Sequence, residues 1–130
     1  AGADIFLAAG PHVPRGIEIH RGKPIFYSLG NFCAHLNSGP AEGKGTGIDH
    51  QRRFWESFVP RVTFNGKGEA AAIELHPITL GLDGPAALRG TPRLARGPEA
   101  RAILERLAEL SRLHGTVVDL DGETGRVRLG

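Results

Sequence analysis

The chain has 130 residues, of which 40% are hydrophobic and 23% are charged, values that are ordinary for one globular domain. The 16 Lys and Arg residues nearly balance the 14 Asp and Glu residues, and their even distribution argues against a nucleic-acid-binding surface. No apolar run approaches the roughly 20 residues of a membrane span, and the single Cys excludes an internal disulfide.

The first predicted element is a short apolar strand at residues 4–9, which ends at Gly10-Pro11 and is expected to be buried on both faces. His12 then lies in the loop at the C-terminal end of that strand. Residues 17–20 and 24–29 are predicted to form a hairpin around a turn at 21–23. Residues 34–51 are rich in Gly, Ser, Asn and Pro, and they predict a flexible loop that is either a functional lid or an insertion.

The second half of the chain predicts two more hairpins and one helix. Segments 54–64 and 69–78 flank Asn65-Gly66, a dipeptide typical of hairpin turns, and segments 116–120 and 126–129 form a last hairpin. A helix is predicted over residues 98–114, because Pro98 suits a first helical position and Gly115 suits a C-terminal stop. Its apolar stripe consists of Ala100, Ile103, Leu104, Leu107 and Leu110.

The other side of that helix is expected to be a solvated face. Arg101 and Glu105 are spaced to form an i,i+4 pair, and Arg106 and Glu109 are spaced to form an i,i+3 pair. One amphipathic helix over mostly antiparallel hairpins predicts a mixed α/β chain of α+β type.

Several segments together resemble the C-terminal part of the CapA family, bacterial capsule or poly-γ-glutamate synthesis proteins with a metallophosphoesterase-like fold. The resemblance begins at residues 10–13 and 16–32, the latter containing Tyr-Ser-Leu-Gly-Asn-Phe at 27–32, and continues through 57–59, 74–78, 91–95 and 115–116. It implies that residues 1–130 are a single partial domain, the C-terminal half of a metallophosphoesterase-like α/β/β/α sandwich. The family's N-terminal acidic and Asn-His motifs are expected to lie outside this chain.

His12 is the strongest candidate for a metal-ligating and catalytic residue. A neutral imidazole binds borderline divalent metals, and a loop at the end of a strand can direct it into a cleft. The resemblance implies a divalent metal, Mn, Zn or Fe, in a full-length parent. Relatives often carry Gly-His where this chain has Ala8-Ala9, so one expected partner histidine is absent.

The hairpin contributes further candidate binding residues. The resemblance places Glu18 and Tyr27 in the wall of a pocket, and the alternative is a solvent-facing carboxylate beside a packed aromatic ring with a bonded hydroxyl. Ser28 and Asn31 flank Gly30, which permits a left-handed backbone, so that Asn31 can bond the backbone or a ligand.

Two adjacent arginines complete the predicted binding residues. Arg52 and Arg53 could bind an anionic substrate through bidentate hydrogen bonds. Adjacent arginines at a loop end are also commonly solvated, and this alternative stays open.

Two classes of function follow. The first is a metal-dependent phosphoesterase or hydrolase that acts on an anionic polymer, a peptide or a phosphate ester in capsule or poly-γ-glutamate biosynthesis, with other capsule synthesis proteins as partners. Some relatives on this fold look like peptide epimerases, which leaves the reaction open. The second is a non-catalytic accessory or polymer-binding module with a degenerate metal site. The resemblance implies a bacterial protein of the cell envelope or the cytoplasm.

The 130-residue chain alone is predicted to be inactive. One loop histidine and scattered carboxylates cannot assemble a two-metal or acid/base site.

Overall fold

The computed structural model describes residues 2–34 and 52–130, which form two β-sheets and one α-helix. The first sheet has the strand order β1-β3-β2, with β1 at Phe6–Leu7, β2 at Ile17–His20 and β3 at Lys23–Phe26. Strand β1 pairs in parallel with β3, and β2 pairs with β3 in antiparallel fashion. Arg21 and Gly22 join β2 to β3 with φ angles of 51° and 76°, which suit a tight two-residue turn.

The second sheet is antiparallel throughout the described residues. It contains β4 (Glu56–Phe64), β5 (Ala70–Thr79), β6 (Arg93–Leu94), β7 (Val118–Asp121) and β8 (Thr124–Val127). Their order is β4-β5-β8-β7, and β6 also pairs with β5. Short 3-10 helices at Arg52–Trp55 and Ala86–Leu88 lie in the connections. The predicted class, a mixed and mostly antiparallel α/β chain with one helix, is confirmed.

The helix α1 spans Gly97–Arg112, close to the predicted range of 98–114. The Gly97 N–H donates to the Glu123 carboxylate at 2.7 Å, which satisfies one of the free donors at the helix start. At the other end Gly115 has a φ of 75°, and its N–H donates to the Arg112 carbonyl at 3.0 Å. This left-handed glycine ends the helix as predicted, but the final turn before it is no longer helical.

One hydrophobic core joins both sheets to the helix. It is formed by Ile17, Phe26, Phe58, Ile73, Leu75, Leu104, Leu107, Ala108, Val118 and Val127. Leu110 of the predicted stripe is only half-buried, and Ser111 is fully buried instead. The Ser111 hydroxyl accepts the Ile17 N–H at 3.1 Å, so a polar contact fastens β2 to the helix.

The expectation that the first strand is buried on both faces is wrong for the described residues. Phe6 is 51% exposed and Leu7 is 53% exposed. Strand β1 pairs only with β3 within residues 2–34 and 52–130, so its apolar side chains receive little cover. Continuous apolar runs are typical of strands covered on both sides, and that cover is missing around β1 in these residues.

The predicted solvated pair between Arg106 and Glu109 is also wrong. The Arg106 guanidinium instead donates to the carboxylate of Glu56, at the start of β4. The Glu56 side chain is 5% exposed and the Arg106 side chain is 27% exposed. The other predicted pair, Arg101 with Glu105, forms on the exposed face at 2.8 Å.

The predicted flexible loop at 34–51 lies, apart from Ala34, outside the described residues. Among the helices that the structure describes, none is long and apolar enough to span a membrane. That the chain is one partial domain of a metallophosphoesterase-like sandwich stays a prediction.

Candidate functional site

His12 is held in a tight loop directly after β1. Its φ is 69°, a left-handed conformation that histidine adopts more readily than most residues. Its N–H donates to the Ala9 carbonyl at 2.8 Å, and the turn contains a cis peptide between Gly10 and Pro11. The residue is exposed, and its ring centroid lies 6.4 Å from that of Phe54. The loop therefore presents the imidazole at the protein surface beside an aromatic ring.

Asn31 determines which nitrogen of His12 carries the proton. Its Nδ2 donates to two backbone carbonyls, that of His12 at 3.2 Å and that of Phe54 at 3.1 Å. Only the NH₂ group of the amide can donate to both carbonyls, so Oδ1 faces the imidazole. The distance from Oδ1 to Nδ1 of His12 is 2.9 Å. A carbonyl oxygen only accepts, so Nδ1 donates a proton and the neutral ring keeps its lone pair on Nε2.

Ser28 supports this arrangement from inside the fold. Its side chain is fully buried, and its hydroxyl donates to the Ala9 carbonyl at 3.0 Å. The same hydroxyl accepts the N–H of Gly30 at 3.2 Å. Ser28 therefore links the loop that carries His12 to the turn that carries Asn31.

Gly30 adopts the left-handed backbone that its sequence position predicts, with a φ of 81°. A Cβ there would lie 2.8 Å from the carbonyl oxygen of Glu56. The turn is also attached to β4, because the Ser57 hydroxyl donates to the Leu29 carbonyl at 2.7 Å. These close contacts leave room only for glycine immediately before Asn31.

Glu18 and Tyr27 form a separate pair. The Tyr27 hydroxyl donates to Glu18 Oε2 at 2.5 Å. This hydrogen bond is the main cause that lowers the pKa of Glu18, and it is also the main cause that raises the pKa of Tyr27. The Tyr27 ring packs on His114 with centroids 4.8 Å apart. Within residues 2–34 and 52–130, no hydrogen bond, ion pair or ring contact joins this pair to His12.

The two predicted binding arginines differ in their contacts. Arg52 forms an ion pair with Asp83 at 2.7 Å, and the bond to Asp83 is the main cause that raises the pKa of Arg52. Arg53 is exposed. The structure thus brings His12, Ser28 and Asn31 together, and it places Glu18 with Tyr27, and Arg52 with Asp83, in other contacts.

Phe54 is the residue of this site that sequence reasoning missed. Its carbonyl orients the Asn31 amide, and its ring lies beside that of His12. Phe54 as a whole is 9% exposed. The only sequence signal was an aromatic pair directly after two arginines. A backbone acceptor can be supplied by any residue type, so its role had no signature.

The donor groups around His12 determine whether the described residues could hold the expected metal. A Nε2 lone pair at the surface suits one ligand position. Within residues 2–34 and 52–130, however, no group of three or more His, Cys, Asp and Glu residues could hold a metal ion. The described residues therefore supply one metal ligand, His12, and not a complete metal site.

Known sequences match the segment that carries these residues. Residues 1–36 match the family model described as bacterial capsule synthesis protein PGA_cap. The N-terminal part of the chain is thus similar to bacterial capsule synthesis proteins. The PGA biosynthesis protein CapA of Bacillus subtilis is 59% identical over 32 residues, which are 25% of this chain and 8% of CapA. The resemblance to the CapA family is confirmed over this N-terminal segment.

Two relatives match almost the whole chain. The proteins y4sH and y4uA of Sinorhizobium fredii, both named as uncharacterized, are each 34% identical over 160 residues. The match covers 99% of this chain and 34% of each relative. The chain therefore spans about a third of the length of these relatives.

Proposed function

We propose that the protein containing this chain is a CapA-like enzyme of capsule or poly-γ-glutamate biosynthesis, with an anionic polymer, a peptide or a phosphate ester as its substrate. His12 contributes one ligand to a divalent-metal site, and the other ligands come from outside the described residues. The name of the Bacillus subtilis relative and the match of residues 1–36 support the biological process. The bond between Asn31 and His12 supports the chemistry.

That bond carries the proposal because metal-binding histidines usually donate their second ring N–H to an acceptor. Such a bond fixes the tautomer and the direction of the ring, and it raises the basicity of the ligating nitrogen. Here Asn31 Oδ1 lies 2.9 Å from Nδ1 of His12 and keeps the ring proton on that nitrogen. Nε2 is left available at an exposed position. A bound metal would supply Lewis-acid activation of water or substrate. His12 would bind the metal, and Asn31 and Ser28 would orient the His12 ring.

Replacing His12 with Ala in the natural full-length protein is expected to remove a metal ligand. We expect metal affinity to fall by at least about 100-fold, since outer-shell partners alone are worth 10- to 100-fold. Metal content after dialysis, measured by elemental analysis, checks this. The matched control is His76→Ala, which removes a half-buried imidazole from β5 and should retain the metal. Equal metal content in the two variants would exclude His12 as a ligand.

Replacing Asn31 with Leu tests the orienting role separately. The variant keeps His12 but removes the acceptor of its Nδ1 proton, so metal affinity should fall by about 10- to 100-fold. Asn31→Asp retains an oxygen acceptor and should recover part of that loss. If Asn31→Leu binds metal as tightly as the unchanged protein, the bond to His12 has no role in metal binding.

A second candidate function is a non-catalytic accessory or polymer-binding module. It is favoured by Ala8-Ala9, where the resemblance to the CapA family implies a Gly-His pair, and by the lack of a complete ligand group in the described residues. The metal analysis separates the two candidates, because an accessory module should bind its polymer without metal and regardless of His12.

A further inference from the structure

A cavity of about 450 Å³ lies between the first half of α1 and the turn at residues 81–84. Its volume is within the range of small-molecule sites. Six charged side chains line it, three guanidinium and three carboxylate groups: Arg52, Arg93, Arg106, Glu56, Asp83 and Glu99. None of the hydrogen bonds of His12 among the described residues involves these side chains, so they are not part of the proposed metal ligand's own contacts.

Four of these six charges neutralise one another in pairs. Arg52 lies 2.7 Å from Asp83, and Arg106 donates to the buried carboxylate of Glu56. These contacts leave one guanidinium group and one carboxylate group of the cavity lining without a charged partner among the described residues.

The two remaining side chains are Arg93 and Glu99. The Arg93 guanidinium lies against the turn, with Nη2 3.6 Å from where a Cβ on Gly81 would be. Glu99 lies in the first turn of α1, is half-buried and lines the same cavity. Over the described ranges, 2–34 and 52–130, neither side chain forms an ion pair or a hydrogen bond.

We propose that this cavity binds a small zwitterion, with its carboxylate at Arg93 and its ammonium group at Glu99. This is the chemistry of a free amino acid or a short peptide. A simple anion would be attracted by Arg93 but repelled by Glu99, and a simple cation would be attracted by Glu99 but repelled by Arg93. A ligand with both charges complements both side chains at once, and Arg93 can hold a carboxylate in bidentate fashion.

Calorimetric titration of the natural full-length protein tests this proposal. The probes are glycine, diglycine and triglycine, which increase the separation of the two charges, and acetate and methylammonium, which carry one charge each. At least one zwitterion should bind with a dissociation constant of about 1 mM or below, and about tenfold or more tightly than either single-charge probe. Arg93→Gln and Glu99→Gln should each weaken that binding by about tenfold or more.

The matched control is Arg101→Gln, on the exposed face of the same helix. It removes the same charge away from the cavity and should leave binding unchanged. Arg93→Lys keeps the charge without the planar guanidinium and should lose only part of the affinity. Three results overturn the proposal: no zwitterion binds at 1 mM or tighter, acetate binds as tightly as the zwitterions, or Arg93→Gln and Glu99→Gln bind like the control.

Discussion

An Arg106→Met variant is expected to lose about 3–5 kcal/mol of its free energy of unfolding, the usual cost of leaving a buried charge without its partner. The carboxylate concerned is that of Glu56, whose side chain is 5% exposed. Methionine keeps most of the aliphatic packing but removes the guanidinium that satisfies this carboxylate. Urea denaturation followed by circular dichroism measures the change.

Two further variants separate the loss of the pair from the loss of an arginine. Arg101→Met removes an exposed helix pair, with side chains 74% and 52% exposed, and should cost less than about 1 kcal/mol. A double variant, Glu56→Met with Arg106→Met, should recover most of the loss, since apolar replacement of both partners is often neutral. If Arg106→Met were no less stable than Arg101→Met, the buried contact would not contribute as described.

Replacing Gly30 with Ala is the second change with a large expected effect. A left-handed backbone costs alanine about 1–2 kcal/mol, and the new Cβ would lie 2.8 Å from the Glu56 carbonyl oxygen. Overpacking of this kind typically costs a further 1–3 kcal/mol or so. The free energy of unfolding should therefore fall by roughly 2–5 kcal/mol in total. The turn would also shift Asn31 away from His12 and weaken any metal binding there.

Gly68→Ala is the matched control for this effect. Gly68 also has a left-handed backbone, with a φ of 77°, but beyond its own chain neighbours no atom of the described residues lies within 4 Å of its would-be Cβ. It should cost only the backbone term of about 1–2 kcal/mol. Equal losses of stability in the two variants would show that the close approach of Gly30 to β4 is not restrictive.

Local signals in the sequence predicted much of the secondary structure. Asn65-Gly66 predicted the turn between β4 and β5, although the left-handed residue there is Gly68, with a φ of 77°. The Asn65 side chain accepts the N–H groups of Lys67 and Glu69 at 2.9 and 3.0 Å. Gly115 predicted the end of α1 because a left-handed residue is needed there. These predictions succeeded because the residue and the structure that it determines are only a few positions apart.

The candidate site was predictable only in part. The sequence singled out His12 in the Gly-Pro-His loop and Asn31 in the turn at Gly30 as separate candidates. The structure joins them, with 2.9 Å between His12 Nδ1 and Asn31 Oδ1. The position of Phe54 beside Asn31 and the hydrogen bond from the buried Ser28 hydroxyl to the Ala9 carbonyl could not be read from the sequence. Both depend on backbone carbonyls, which any residue can supply.

By itself, the sequence determined the hairpins, the helix and the candidate histidine, because turn residues, helix ends and hydrophobic periodicity act over short separations along the chain. Only the tertiary structure decided that Arg106 pairs with Glu56, 50 positions away, and that Arg93 and Glu99 line one cavity without an ion-pair partner among the described residues. Charged residues that look alike on a helix acquire different roles when a distant strand removes water from one of them. The physical reason is that burial, and not residue type, sets the cost of leaving a charge unpaired.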